Sequence, residues 1–226
     1  GERLRPGLDA TSVRVRNGEV LVTEGPFTEA REWIGGFDII DCRDLDEAID
    51  VASRHPAARF GAVEVRPFLT WPDAVPGQRV VPADLPGRAA KGVRYLMLVC
   101  VDPTGEKDGP DDPNAWVDEM DGRGVRLFGE VLRPPADATL VRSRGGKVLV
   151  TDGPFAEAKE WIAGLDLLEV SGLDEAIEVA AAHPMARGGL MVLSPLWPFD
   201  VADDHVARAE REAPERGVRT EPKVSR

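Results

Sequence analysis

The chain repeats itself: shifted by 128 positions, residues 1–68 align with residues 129–196 without a gap, and about 39 of the 68 positions are identical. The stretches GERLRPGLDATSVRVRNGEVLVTEGPFTEAREWIGGFDII and GEVLRPPADATLVRSRGGKVLVTDGPFAEAKEWIAGLDLL carry the match. A repeat of this kind is one structural unit written twice. Whatever fold suits one copy must suit the other, and both must bury an apolar face.

Hydrophobic periodicity divides each copy. Ser12-Val13-Arg14-Val15-Arg16 and Glu19-Val20-Leu21-Val22 alternate around Asn17-Gly18, a type I′ turn signal, and Gly145-Gly146 takes that place in copy two. This predicts a β-hairpin. Residues 36–42 read as a further strand, followed by a helix that opens at Asp44 with Glu47 three residues on. Leu45, Ala48, Ile49 and Ala52 form its apolar face; in copy two Ser171 is the expected cap and Leu173, Ala176, Ile177 and Ala180 the face. Both helices should stop at His-Pro, because proline disfavours helical geometry in the residue before it. Strands at 61–65 and 189–193 complete the copies.

Copy two has more in front of it. Tyr95-Leu96-Met97-Leu98-Val99-Cys100 is apolar enough for a strand buried on both faces, and a short helix over 113–120 and a strand over 125–128 follow. The order β-α-β-β-α-β is the ferredoxin-like plan. Copy one has no counterpart to this first strand and helix, so it reads as a truncated unit whose gene continues upstream by about 35–45 residues. The expected organisation is an incomplete unit at 1–68, a Pro-rich linker at 69–92, a complete unit at 93–199 and a polar tail at 200–226 with a surface helix near 202–213.

Composition excludes several functions. Forty acidic against 28 basic residues leave a net charge of -12, which repels phosphate backbones and argues against direct nucleic-acid binding. Apolar residues nowhere run for the roughly 18 positions that span a bilayer, so no membrane partner is expected. Residues 1–6 lack the apolar core of a signal peptide, which leaves the cytoplasm as the default compartment. Cys42 and Cys100 sit in apolar strand-like runs without a Cys-x-x-Cys or Cys/His cluster and read as reduced core residues. His205 falls in the polar tail, and without two His and a carboxylate on one element no metal site is expected.

The segment Thr151-Asp152-Gly153-Pro154-Phe155-Ala156-Glu157-Ala158-Lys159-Glu160 follows Arg133-Pro134 and the hairpin, and precedes Leu-Asp-Glu-Ala-Ile and His-Pro-x-Ala-Arg. This series resembles the DGPF branch of the YCII-related family, with Glu24-Gly25-Pro26-Phe27 as the copy-one variant. The resemblance spans nearly the whole chain outside linker and tail. It implies an α+β fold of ferredoxin-like units that pair as a dimeric α/β barrel, here as an intramolecular pseudo-dimer with further self-association open to it. It also implies a pocket between sheet and helices, no cofactor, and a function among the family's uncharacterised members. Two classes stand: a small-molecule-binding, cofactor-independent acid–base lyase or isomerase, or a non-catalytic accessory protein, for example of an extracytoplasmic-function sigma factor.

A carboxylate and an imidazole are the minimal pair for moving protons near neutral pH. The catalytic candidates are Asp152 with His183, and more weakly Glu24 with His55. The plainer reading makes each His a helix-end group favoured by the dipole, and Asp152 part of a tight Asp-Gly turn. Gly153, Pro154 and Phe155, a turn and an apolar plug, are ligand-binding candidates together with Arg142 and Arg144. Those arginines, matched by Arg14 and Arg16, either line a solvated salt-bridge face with Glu157 and Glu160 or clamp a carboxylate ligand. Trp33 and Trp161 read as core or interface anchors.

Overall fold

The hairpin turns form as their residues require. In the computed structural model, which describes residues 1–25, 34–69, 92–101, 113–154 and 161–197, Asn17 and Gly18 have φ of 52° and 78°, and Gly145 and Gly146 have 57° and 75°. Two positive φ angles in succession define the type I′ turn, whose twist matches the flanking strands. The hairpin of copy one is β2 (Thr11–Arg16) with β3 (Glu19–Glu24), after a short β1 (Glu2–Arg3). In copy two it is β8 (Thr139–Arg144) with β9 (Lys147–Asp152).

The fold is mixed α+β. Copy one continues with β4 (Gly36–Phe37), α1 (Leu45–Arg54), α2 (Ala57–Phe60) and β5 (Val63–Val65). Copy two is opened by β6 (Val93–Val101), α3 (Pro113–Arg123) and β7 (Arg126–Val131), and its hairpin is followed by β10 (Trp161–Val170), α4 (Leu173–Ala182) and β11 (Gly189–Pro195). Residues Gly1–Leu196 make one compact unit; of the second, Trp197–Arg226, only Trp197 is among the described residues. Residues 70–91 of the linker expected at 69–92, the tail helix and His205 lie outside them.

Neither hairpin stays with its own copy. Strands run β3-β2-β11-β6-β10-β7 in one antiparallel sheet and β5-β8-β9 in another, so each hairpin extends the last strand of the opposite copy. The pairs Met191↔Val13 and Leu193↔Thr11 recur as Val63↔Val141 and Val65↔Thr139, the same positions moved by 128. The bridges Leu4↔Leu196 and Phe68↔Leu132 are related in the same way.

Two cores result. On the helix-facing side of the larger sheet, Met97, Val99, Leu168, Met191 and Leu193 pack beneath Trp116 and Met120 of α3 and Ala176, Val179 and Ala180 of α4. On the opposite side, Leu4 and Ala10 of copy one meet Leu96, Leu98, Cys100, Leu190 and Val192. The copies therefore share a buried apolar layer, whose exposure on separation would be costly.

Guanidinium groups lock the exchange. Arg16 donates from Nη1 to the carbonyls of Ala186 (2.9 Å) and Arg187 (3.0 Å), and from Nη2 to Gly189 (3.0 Å). Arg144 does the same in mirror fashion, to Ala58 (2.6 Å) and Gly61 (2.8 Å). Hydrogen bonds to a charged group contribute about 1.5–3 kcal/mol. Arg16→Ala should lower the unfolding free energy by about that amount in urea titration. The more exposed Arg144 should cost less on replacement, and Arg16→Lys should not restore stability because an ammonium lacks the planar fork.

Several local expectations require correction. The strand expected at 36–42 stops at Phe37, since the central strand that pairs with all of β10 has no described counterpart in copy one. Cys42 is consequently half-buried, whereas Cys100 is buried in the core as expected. The first residue of each helix face, Leu45 or Leu173, stays well exposed; the buried positions are Ala48 and Ala52 in α1 and Ala176, Val179 and Ala180 in α4. Asp44 caps α1 by accepting from the Glu47 N–H (2.9 Å), but the N-cap of α4 is Gly172, not Ser171. Ser171 instead donates its N–H and hydroxyl to Glu175, which holds that carboxyl below its ordinary pKa. Among the described residues, no helix is long and apolar enough to cross a membrane.

Candidate functional site

Each helix ends at its histidine because the next residue is proline, and the imidazole then becomes structural. His183, buried at the end of α4, accepts the Met185 N–H at Nδ1 (3.1 Å) and so caps the turn at 184–186. Its ring meets Trp116 edge-on, with centroids 4.6 Å apart, and Trp116 Nε1 donates to the Val179 carbonyl (3.1 Å). His55 repeats the cap, accepting from the Ala57 N–H (3.1 Å), but it is half-exposed.

The structure does not bring the expected carboxylates to these histidines. Asp152 ends β9, opposite Thr139, in the smaller sheet, while His183 packs over the larger one; no hydrogen bond or ion pair between described residues joins them. Glu24 likewise ends β3 opposite Thr11, and the carboxylate that reaches His55 is Asp38, with Oδ2 at 3.5 Å from Nε2. Gly25 and Gly153 turn the chain with φ of 93° and 99°, their N–H groups donating to Ala10 and Ala138. Pro154 is half-buried beside that turn, whereas Phe27, Phe155, Glu157, Glu160 and Trp33 lie outside the described residues. Arg142 is half-buried on β8, opposite Leu149, while Arg144 is committed to backbone carbonyls. Trp161 opens β10 and is also half-buried.

A different acid stands out. Asp166 interrupts an apolar strand, Trp-Ile-Ala-Gly-Leu-Asp-Leu-Leu-Glu-Val, between Met97 of β6 and Gly129 of β7, and is only 5% exposed. It accepts from Arg126 Nε at 2.6 Å, and Arg126 Nη1 lies 3.2 Å from Asp121 at the end of α3. Glycine at 129 leaves room for the pair, since a Cβ there would displace the Asp166 carboxylate and the Arg126 guanidinium. Burial pushes the Asp166 carboxyl up to about 6, and the guanidinium offsets only part of this. Burial also raises neighbouring Glu130.

The arrangement is an acid whose protonation changes near neutral pH, held by a permanent cation. Sequence reasoning passed over it, although a lone Asp inside an apolar strand, repeated as Asp38, was a usable signal. Within the described residues, no group of three or more His, Cys, Asp and Glu side chains is placed to hold a metal ion.

The model of the YCII-related domain matches residues 3–72 and 94–200. The chain belongs to the YCII-related family. Its two matched segments cover residues 3–68 of copy one and all of copy two, and the first includes the exposed Asp38–His55 pair. A curated bacterial relative, an uncharacterized protein of Rhizobium meliloti (strain 1021), is 41% identical over 73 residues, which cover 30% of this chain and 57% of the relative.

Proposed function

We propose that this YCII-related protein binds a small molecule and acts as a cofactor-independent acid–base lyase or isomerase, with Asp166 as the proton-carrying group. The observation that supports this reading is the buried Asp166 carboxyl with its pKa near 6 beside Arg126. Ionised, Asp166 takes a proton from a substrate carbon. It then returns the proton at another position, or keeps it while a leaving group departs. Arg126 keeps the carboxylate oriented and is suited to an anionic substrate group.

We read β6-α3-β7-β10-α4-β11, with sheet order β11-β6-β10-β7, as one ferredoxin-like unit at 93–199. The exchanged hairpins are read as the intrachain equivalent of a dimeric α/β barrel, with residues 1–68 contributing the incomplete mate.

Turnover of candidate hydroxy, keto or halogenated acids by wild type and Asp166→Asn tests the proposal. The variant should lose at least about tenfold in rate, a modest share of the 10²–10⁴ typical of general acid–base groups. The wild-type rate should rise with pH through about 6, as the base ionises. Equal turnover by both proteins would remove Asp166 from the chemistry.

The accessory-protein reading has support of its own: His183, Gly153 and Arg144 are all engaged with backbone groups. Stable co-purification with a sigma factor by a catalytically silent protein would favour it.

A further inference from the structure

Each hairpin ends its sheet with an exposed apolar strand. β3 is the outer strand of the six-stranded sheet and β9 that of the three-stranded one. Val20, Leu21 and Val22 are 49%, 46% and 48% exposed, and Val148, Leu149 and Val150 are 49%, 49% and 45% exposed. This agreement makes the exposure a property of the hairpin and not of one copy's surroundings. Consecutive strand residues point to opposite faces, so both faces of each strand are open.

The backbone of β9 is open as well. Its two-residue turn makes Arg144↔Lys147 the closing hydrogen-bonded pair, so Lys147, Leu149 and Thr151 turn their N–H and C=O groups toward β8. Those of Val148, Val150 and Asp152 face outward, and among the described residues β9 pairs with β8 alone. Edges of this kind are ordinarily blunted by a proline, a central charge or a bulge. Val148-Leu149-Val150-Thr151 has no proline and no charge, and the β8–β9 register runs without a shift.

We propose that β9 is a dimerisation edge, which pairs antiparallel with β9 of a second copy of this chain about a two-fold axis at Leu149. Outward groups must meet outward groups, so even-numbered residues stand opposite even and odd opposite odd. The register centred on Leu149 sets Val148 opposite Val150 of the partner subunit and Leu149 opposite Leu149 of the partner subunit, which covers the whole apolar triplet. The edge is self-complementary in charge too. It carries Lys147 at one end and Asp152 at the other, and antiparallel pairing brings each Lys end to an Asp end, within the Debye length of about 8–10 Å. β3 has Glu19 and Glu24 in those places, so pairing it with itself would gather four carboxylates. A two-fold β9 contact also closes at the dimer, whereas a β3–β9 contact leaves further edges open.

Two six-residue strands bury less than the roughly 1,200 Å² of a stable interface, so sedimentation of the full chain should show a weak dimer, with Kd of about 10–100 μM. Val150→Lys should weaken it by about tenfold or more, and Val22→Lys, the same change on β3, should leave it unchanged. In a Cys42→Ser background, Leu149→Cys sets two thiols in a non-hydrogen-bonded pair with Cα atoms about 4.5 Å apart, inside disulfide range, and should give a covalent dimer under mild oxidation. Leu21→Cys in that background should not. If Val150→Lys unfolds the chain, the cross-link decides alone. The proposal is overturned by a chain that stays monomeric at about 500 μM, by Val22→Lys weakening the dimer as much as Val150→Lys, or by Leu21→Cys cross-linking as fast as Leu149→Cys.

Discussion

Trp116→Ala should destabilise the protein by about 3–5 kcal/mol, the range for deleting a buried large aromatic side chain. Trp116 is 4% exposed and joins α3 to α4 through both its ring and its Nε1–H. Truncation opens a cavity over Met97, Val99 and Val179, leaves the Val179 carbonyl without that donor and uncovers His183. The check is urea unfolding followed by circular dichroism. Trp161→Ala, at a half-buried site, should cost clearly less. A loss below about 1 kcal/mol for Trp116→Ala would mean that α3 is not held as described.

Arg126→Met should produce the second large effect, and one that depends on pH. Burial raises the Asp166 pKa from 3.8 to about 6, so the fold prefers the neutral acid. Its contribution to stability is complete below pH of about 4 and is lost as pH rises through about 6. Arg126 limits that loss by pairing with the carboxylate. Without it the carboxyl pKa rises further, and at pH 8 the variant should be about 3–5 kcal/mol less stable than wild type, as for a buried pair deprived of one partner. Below about pH 5 the difference should shrink, because the uncompensated charge is gone. Unfolding midpoints from pH 4.5 to 8 measure this directly. Asp166→Asn should remove the decline between pH 4 and 6, leaving the contribution of the raised Glu130 carboxyl in place.

The local signals were strong where one segment carries its own instructions. Asn17-Gly18 and Gly145-Gly146 form the turns their positive φ angles require, both helices end at His-Pro, and Tyr95 to Cys100 is buried throughout. They were weak where a neighbour from far along the chain decides. Residues 36–42 have the composition of a strand, yet only Gly36 and Phe37 pair, because strand formation needs a partner on each buried edge. Asp152 and His183 are likewise placed by distant neighbours: Asp152 ends a strand of the smaller sheet, whereas His183 ends α4 over the larger one.

By itself, the sequence determined that a stretch of 68 residues is written twice, where its turns and helix ends fall, and that the chain is acidic. Those properties follow from residue type, spacing and the repeat, which act over a few positions or over the whole composition. Only the tertiary structure decided that the hairpins change places, that Arg16 and Arg144 fasten them, and that Asp166 lies buried against Arg126. Hairpins this similar can pair with either copy's last strand at the level of sequence. Which pairing forms depends on the joint burial of both apolar layers, and a carboxyl's pKa depends on the solvent and charge around it in the assembled fold.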